Sequence, residues 1–509
     1  MAVEPPIIEP SDSPQVAELK RQLYWAQLKI EVLEERLRLH RIEKYGPASE
    51  KLSATQLELL EGEPGVSNLE VQAESAREPL PERAPATARA ERKHPGRQQL
   101  PANLPRVERV IHCPPEQCRC KNCGQPTVVI GYQESEQLDV EPARYFVRVI
   151  KREKRGCRGC QQGVATAPAP ARIIDKGLVS DRLVIDTVIS KYSDHLPLYR
   201  QSAILERETG IEISRATLDG WVMTVGGVLI PVAGAMRTEL LGGSYIQADE
   251  TPVYVQMHDR RGKNHQAYLW QYGKPGGGVV FDFQLGRGRD GPKRFLGKFE
   301  GLLQTDGYAA YEKVGGPKIV HAGCWSHSRR KFFEAHQVSP AETVAKSIVE
   351  LIDKLFAIDA EARERKFDLA ARDRLRQERA PELLKRIQEE IEAARKQALP
   401  SSKLSTATAY TLGLWPKLKR FLDYPELELS NNLAENSMRP VALGRKNWIH
   451  VGSPQAGPKV AAILSVIETC RRMKIAVRDY LGAVLPGLGD VTIQRVAELT
   501  PAAWAARNR

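Results

Sequence analysis

Gly243-Ser-Tyr-Ile-Gln-Ala-Asp-Glu-Thr-Pro-Val-Tyr-Val-Gln256 is an apolar run that enters an acidic pair and then continues as Val-Tyr-Val. Its key feature returns in Gly301-Leu-Leu-Gln-Thr-Asp-Gly-Tyr308, and both copies read apolar-Gln-x-Asp. Side chains two apart on a strand share a face, so each Asp is predicted to project from the same face as its Gln, at a strand end where the chain turns. Two such strands side by side would bring Asp249 and Asp306 together. Carboxylates held close repel unless a cation neutralises them, and for an all-oxygen site the expected cation is Mg²⁺ or Mn²⁺. The competing reading is that each Asp only caps a turn after its strand. The matched pair, with an arginine-rich stretch downstream, favours the first. Glu250 is the rival to Asp249, but on a strand it faces the other way.

Around these two stretches, strands are expected at 245–248, 253–257, 267–272, 278–284, 302–305 and 318–321, with a short helix over 290–297. Three antiparallel strands, a helix and then a strand carrying the second Asp is the order of a ribonuclease H-like α/β core. Cys324-Trp-Ser-His-Ser-Arg-Arg-Lys-Phe-Phe333 then opens a helix bearing Arg329, Arg330 and Lys331. His321, Cys324 and His327 are spaced by three, but a strand residue and helix residues do not make a metal site at that spacing. From 341 to 397 the chain is charged and helical, a hairpin predicted to be solvated on both sides, followed by a helix over 407–422.

The acid that completes the pair is the least obvious choice. The naive count of a ribonuclease H-like core offers Glu334 and Glu342, the latter separated from Asp306 by residues 307–341. Glu342, however, opens the charged hairpin. Glu435 in Leu429-Ser-Asn-Asn-Leu-Ala-Glu-Asn-Ser-Met-Arg-Pro440 follows Asn431-Asn432 at a helix start, where free backbone N–H groups and the helix dipole favour a carboxylate. Arg439, Arg445 and Lys446 come next, and between Asn436 and Tyr480 there are eight Arg or Lys against two acids, the makeup of a phosphate-handling surface. The hairpin is then an insertion ahead of the helix that carries Glu435. The bland alternative is that Glu435 only caps that helix.

Upstream, Ser180 to Gly226 shows three helical segments, at 181–192, 198–208 and 215–222, the last capped by Ser214. This is a helix-turn-helix outline, with Arg215 and Thr217 on the leading turn of the candidate DNA-reading helix. Cys120-x-x-Cys123 and Cys157-x-x-Cys160, separated by strand-like 127–130 and 145–150, can supply four thiolates to a tetrahedral Zn²⁺ site, a ribbon stapling two hairpins. Cys113 and Cys118 lie close enough to replace a ligand. At the N-terminus, Val16, Leu23, Ile30 and Leu37 fall at position a of a heptad and Leu19, Ala26, Leu33 and His40 at d, which suits a parallel two-stranded coiled coil. That helix is expected to end at Gly46-Pro47.

The bulk numbers agree with an intracellular protein that meets a polyanion. The 509 residues are 42% hydrophobic, enough for several cores, and 75 basic against 63 acidic residues give a net charge of +12 and a pI near 9.2. Six of the eight cysteines fall between Cys113 and Cys160, which suits a metal site in a reducing compartment better than a disulfide framework. No run is expected to span a bilayer, and the acidic, Pro-rich start is not a signal peptide.

Together these pieces resemble the transposases of the insertion sequence sixty-six family of bacterial mobile elements. The resemblance rests on the zipper with Gly46-Pro-Ala-Ser-Glu-Lys-Leu52, the two knuckles, Asp249-Glu-Thr-Pro252, Thr305-Asp-Gly-Tyr-Ala-Ala-Tyr311, His321-Ala-Gly-Cys-Trp-Ser-His-Ser-Arg-Arg-Lys-Phe332, and Asn432-Leu-Ala-Glu-Asn-Ser-Met-Arg-Pro440 with Arg445-Lys-Asn447. It implies an integrase-like nuclease core in which Asp249, Asp306 and Glu435 form an acidic triad holding two Mg²⁺ or Mn²⁺ ions. It also implies cleavage and joining of double-stranded DNA, at the element's ends and in the target, by a cytoplasmic, nucleoid-associated homodimer or larger oligomer, with small accessory proteins from the same element as further partners. The expected organisation is a multidomain α/β chain: coiled coil 1–60, linker 61–104, zinc-binding domain 105–175, helical DNA-binding domain 176–240, core 241–337, helical insertion 338–428, core completed by the Glu435 helix at 429–485, and a tail at 486–509. A nuclease that cuts without joining, and a zinc-dependent DNA-binding regulator with an inactive core, are the competing functions.

Overall fold

The computed structural model describes residues 13–45, 145–151, 154–156, 164–166, 168–175, 177–257, 264–339 and 343–508. The heptads lie on α1 (Pro14–Tyr45), where Leu19, Leu23, Ile30 and Leu33 are 52–63% exposed, a stripe that a single chain leaves open to solvent. The linker, the cysteine knuckles and strand 127–130 lie outside the described residues. Beside them, β1 (Lys154–Gly156) and β2 (Val164–Thr166) pair antiparallel, and the connection between them carries Cys157 and Cys160. Residues 145–150 were expected as a strand but join no ladder among the described residues. Phe146, Val147, Val149 and Ile150 are 60–87% exposed, so no packed face holds the segment in a sheet.

α2 (Asp181–Tyr192), α3 (Leu198–Thr209) and α4 (Arg215–Leu241) start where the sequence indicates, with Ser180 and Ser214 accepting from Leu183 N and Thr217 N and Gly210 ending α3 at φ 71°. α4 does not stop near Val222. It runs for 27 residues and, contrary to expectation, is long and apolar enough to cross a bilayer; here Leu218, Val222, Val225, Leu229 and Val232 are wholly buried in the protein core.

A single strand, β3 (Tyr245–Val255), replaces the two expected around the acidic pair. β4 (His265–Gly273) pairs antiparallel with β3, and β5 (Val279–Gln284) antiparallel with β4. After α5 (Asp290–Leu296), β6 (Leu302–Gln304) lies parallel to β3 and β7 (Val320–Ala322) parallel to β6, giving the order β5-β4-β3-β6-β7. α6 (Trp325–Val338), α7 (Thr343–Glu364), α8 (Leu369–Gln397), α9 (Lys403–Gly413) and α10 (Trp415–Leu418) follow. The helix expected at 407–422 breaks at Leu414 because Pro416, in the first turn of α10, cannot donate to a continuing helix. α11 (Asn432–Trp448) carries Glu435, and β8 (His450–Val451) then pairs with the far end of β3. β8 escaped the sequence reading because two residues are too few to show a pattern. α12 (Ala456–Arg472), α13 (Val477–Val484) and α14 (Pro501–Arg507) complete the chain.

The alternation along β3 divides the interior. Ile246 and Ala248 join Leu303 in a core shared with α2, α3, α4 and α12, so the helices expected to form a separate DNA-binding unit pack as one body with the sheet. Gly226 admits a close approach of α4 to α12, since a Cβ on it would come 2.7 Å from Lys459 Cβ. Tyr245 and Leu302, on the other face, join a second core with α6 to α10. That core corrects the picture of a hairpin solvated on both sides: Ile348, Ile352 and Leu355 of α7 and Ile387 and Ile391 of α8 form i, i+3, i+4 stripes and are buried. α12 covers the sheet edge at β5, where Thr469 Oγ1 accepts from Val279 N at 2.9 Å and Ser465 Oγ from Phe281 N at 2.8 Å. Nor is 486–508 a loose tail, since Trp504 stands edge-on to Tyr480 at 5.7 Å and the Tyr480 hydroxyl donates to Leu499 O at 2.6 Å.

Candidate active site

The parallel register of β3 and β6 sets Gln247 opposite Gln304. Asp249 and Asp306 each stand two residues further on, so both carboxylates leave the same face of adjacent strands. Asp306 sits in the turn after β6, its Oδ1 accepting from Tyr308 N at 2.8 Å, while the Tyr410 hydroxyl of α9 donates to its backbone oxygen. Gly307 is needed there: its φ is +90°, and a Cβ would come 2.5 Å from Leu414 Cδ1.

The third acid arrives over a segment held at every residue. Glu428 N donates to the Tyr245 hydroxyl, Leu429 O accepts from Trp325 N, Ser430 O accepts from Gln247 Nε2, and Asn431 N approaches Cys324 Sγ. α11 begins at the next residue and places Glu435 in its first turn, beside the free N–H groups of the helix start. Asn431 does not cap the helix through its side chain. It is wholly buried and its Nδ2 points at Ala248 O, 3.5 Å away. Glu435 is met from α6 by Arg330 at 3.3 Å and His327 Nε2 at 3.5 Å. Glu334, on the same α6, instead stands 3.8 Å from Lys403 of α9, and Glu342 lies outside the described residues.

Electrostatics mark this face. Burial pushes the Asp249 carboxyl up to about 7, and the neighbouring Glu250, Asp306 and Glu435 add to the rise against a hydrogen bond from Glu250 N. Glu250 is raised too, first by burial, but it has partners of its own: the half-exposed Arg287 at 2.7 Å and, from the core on the opposite face, the Tyr311 hydroxyl at 2.8 Å. Among the described residues no three His, Cys, Asp or Glu side chains are drawn together tightly enough to make a ready metal cluster. The three acids are instead an open group that repels itself, and a buried Glu435 Oε1 accepts no hydrogen bond. An all-oxygen donor set short of positive charge suits a hard divalent cation.

Of the predicted phosphate contacts, Arg215, Thr217, Arg439 and Lys446 are exposed. Thr217 is engaged in the Ser214 cap. The others have intramolecular roles: Arg329 pairs with Asp353 at 2.5 Å, Lys331 lies 4.5 Å from the centre of the Tyr410 ring, and Arg445 donates to Thr251 Oγ1 and Pro252 O, fastening α11 along β3. The sequence reading missed His327 and Arg330 as partners of Glu435. It also missed Gln271, which faces Asp249 across the β3–β4 ladder, wholly buried with both amide atoms unpartnered. Only the ladder register exposes that pairing. Cys120, Cys123, Cys157 and Cys160, with Cys113 and Cys118, lie outside the described residues.

Comparison with known proteins finds family matches along most of the chain. Residues 176–459 match the model of the transposase IS66 family, 117–161 match a zinc-finger binding domain of transposase IS66, and 32–109 match a domain described as transposase C of IS166 homeodomain. The 117–161 match contains all four knuckle cysteines and Cys118 but not Cys113. The chain is 33% identical over 458 residues to the uncharacterized protein y4qI of Sinorhizobium fredii, covering 87% of this chain and 80% of that protein. It is 30% identical over 505 residues to y4hP of the same organism, covering 94% and 88%. With a match that spans more than half of its length, from α2 to the start of α12, the chain belongs to the IS66 family of transposases.

Proposed function

We propose that this chain binds the two ends of its own insertion sequence, cuts the DNA there and joins the freed 3′-hydroxyl ends to target DNA. The observation that carries the reading is the pairing of Gln247 with Gln304, which delivers Asp249 and Asp306 to one place on a sheet ordered like a ribonuclease H-like core, with Glu435 brought to them on α11. Two Mg²⁺ or Mn²⁺ ions held by these three carboxylates would activate the attacking oxygen and stabilise the leaving one in an in-line phosphoryl transfer. The protein's own part is to hold the acids and the DNA. Burial, and then repulsion from the neighbouring acids, disfavour the charged form of Asp249, so positive charge brought to the site would favour its ionised form. Arg330 fixes the Glu435 carboxylate, and Arg439 and Lys446, exposed on α11, face the phosphates, with Arg215 and Thr217 on the leading turn of α4. Neither Ser nor Tyr is required as a nucleophile.

Cys120, Cys123, Cys157 and Cys160 are assigned to one Zn²⁺ in the 117–161 region, and the heptads of α1 to dimerisation, in a bacterial cytoplasm where the nucleoid supplies the DNA. The test is a DNA fragment carrying the element's ends, incubated with the full chain and Mg²⁺ or Mn²⁺. Cut ends joined to a second DNA support the reading. Ends cut but never joined would indicate a nuclease, and ends bound but left intact a regulator. Metal analysis should find one zinc per chain, lost on Cys120→Ser with Cys123→Ser.

A further inference from the structure

We propose that Gln247 and Gln304, with Tyr245, are positioning residues for Glu435. The inference rests on the reading of Asp249, Asp306 and Glu435 as the metal-holding acids. The two glutamines are 2% and 0% exposed and sit on the interior face of the sheet, where an amide is costly unless its hydrogen bonds are made. Here they are made. Gln304 Oε1 accepts from the Tyr245 hydroxyl at 2.5 Å and from Gln247 Nε2 at 2.9 Å. Gln304 Nε2 donates to Gly323 O at 3.0 Å and to Glu428 O at 2.7 Å, and Gln247 Nε2 also reaches Ser430 O at 3.0 Å. The Tyr245 hydroxyl in turn accepts from Glu428 N at 3.2 Å.

The partners outside the sheet are what give the cluster its meaning. A pair of amides that only joined β3 to β6 would need nothing beyond the two strands. These instead donate to the carbonyls of Glu428 and Ser430, while the Tyr245 hydroxyl takes Glu428 N, in the residues that lead into α11. An amide can do this because it accepts and donates at once: its oxygen ties the two strands and its nitrogen ties the incoming segment. The residues that align Asp249 with Asp306 therefore also fix where the helix carrying Glu435 begins. This explains why Gln stands two residues before each Asp, where an apolar side chain would serve packing alone.

The test uses the full chain and the variants Gln304→Met and Gln247→Met, close in size but unable to make these bonds. Three readouts are taken: hydrogen exchange of the backbone amides at 432–436 without metal, Mn²⁺ binding by calorimetry, and cleavage of end DNA. Gln304→Met should speed exchange at 432–436 while the amides of α12 stay protected, and weaken Mn²⁺ binding by about 10- to 100-fold, the scale for groups that orient metal ligands. Because the effect passes through Glu435, adding Gln304→Met to Glu435→Gln should weaken Mn²⁺ binding no further. Unchanged exchange at 432–436, or losses that simply add in the double variant, would overturn the proposal. If Gln304→Met does not fold, Gln247→Met, which removes only the bonds to Ser430, Gln304 and Tyr245, carries the same test. Wild-type protein that binds no Mn²⁺ would instead overturn the metal assignment, leaving the exchange experiment to judge the positioning.

Discussion

In the helical insertion, Asp359 of α7 is 1% exposed and takes hydrogen bonds from Arg376 at 2.8 and 2.7 Å and from Arg372 at 2.8 Å. Burial alone would raise its carboxyl, but the bonds from Arg376 and Arg372 win and hold it below the ordinary 3.8. At the end of β3, Asp249 is buried among acids and pushed the other way, to about 7. The insertion neutralises its charges from within: Arg372 also reaches Glu428 at 3.1 Å, and Arg376 donates to the carbonyls of Phe421 and Leu427. Around the sheet's acids, α6 provides Arg330 for Glu435, but no cation pairs with Asp249 among the described residues. A cluster that completes its own neutralisation stabilises the fold. One that leaves the neutralisation open keeps its repulsion, a trade of stability that functional sites commonly make.

The contrast predicts opposite responses to removing one charge. The largest effect is expected on catalysis, where Asp249→Asn, Asp306→Asn and Glu435→Gln should each reduce cleavage by about 10³-fold or more while end binding and fold persist. Glu334→Gln and Glu342→Gln should keep substantial activity, and the reverse pattern would move the acidic site to α6 or the start of the insertion. Next in size, Arg376→Met should cost about 3–5 kcal/mol in urea unfolding, because it strands a buried Asp359. That same pair sets a pH dependence. A carboxyl lowered by folding contributes stability above its ordinary 3.8 and loses it as pH falls through the lowered value, so wild type should weaken only in strong acid while Arg376→Met starts from a deficit already present at neutral pH. The smallest effect has the opposite sign. Without divalent metal near pH 8, Asp249→Asn should raise stability by roughly 1 kcal/mol, since it removes a repelled charge. A loss there would mean that Asp249 is already neutralised within the protein and that the two clusters do not differ.

Much of this was legible along the chain. The heptads, the Ser180 and Ser214 caps, the apolar-Gln-x-Asp pairs and the polarity of the Glu435 region are local patterns, and local patterns follow from side-chain period and backbone capping. Less legible were features whose cause lies far away in sequence. α4 reads as a short recognition helix until its apolar face finds the sheet and α12. The insertion reads as solvated until its stripes meet, and 486–508 reads as a tail until Trp504 reaches Tyr480.

The sequence by itself determined the apolar-Gln-x-Asp pairs, the shared face of each Asp with its Gln, the helix caps and the family, because a strand's period of two and a helix's capping residues are set within a few neighbours. Only the tertiary structure decided which strand lies beside which and in what register, and hence that Gln247 meets Gln304, that Gln271 faces Asp249, and that Arg330 and His327 reach Glu435 across more than a hundred residues. Those pairings are chosen by the summed burial of two cores on opposite faces of one sheet. No single stretch of chain contains that sum.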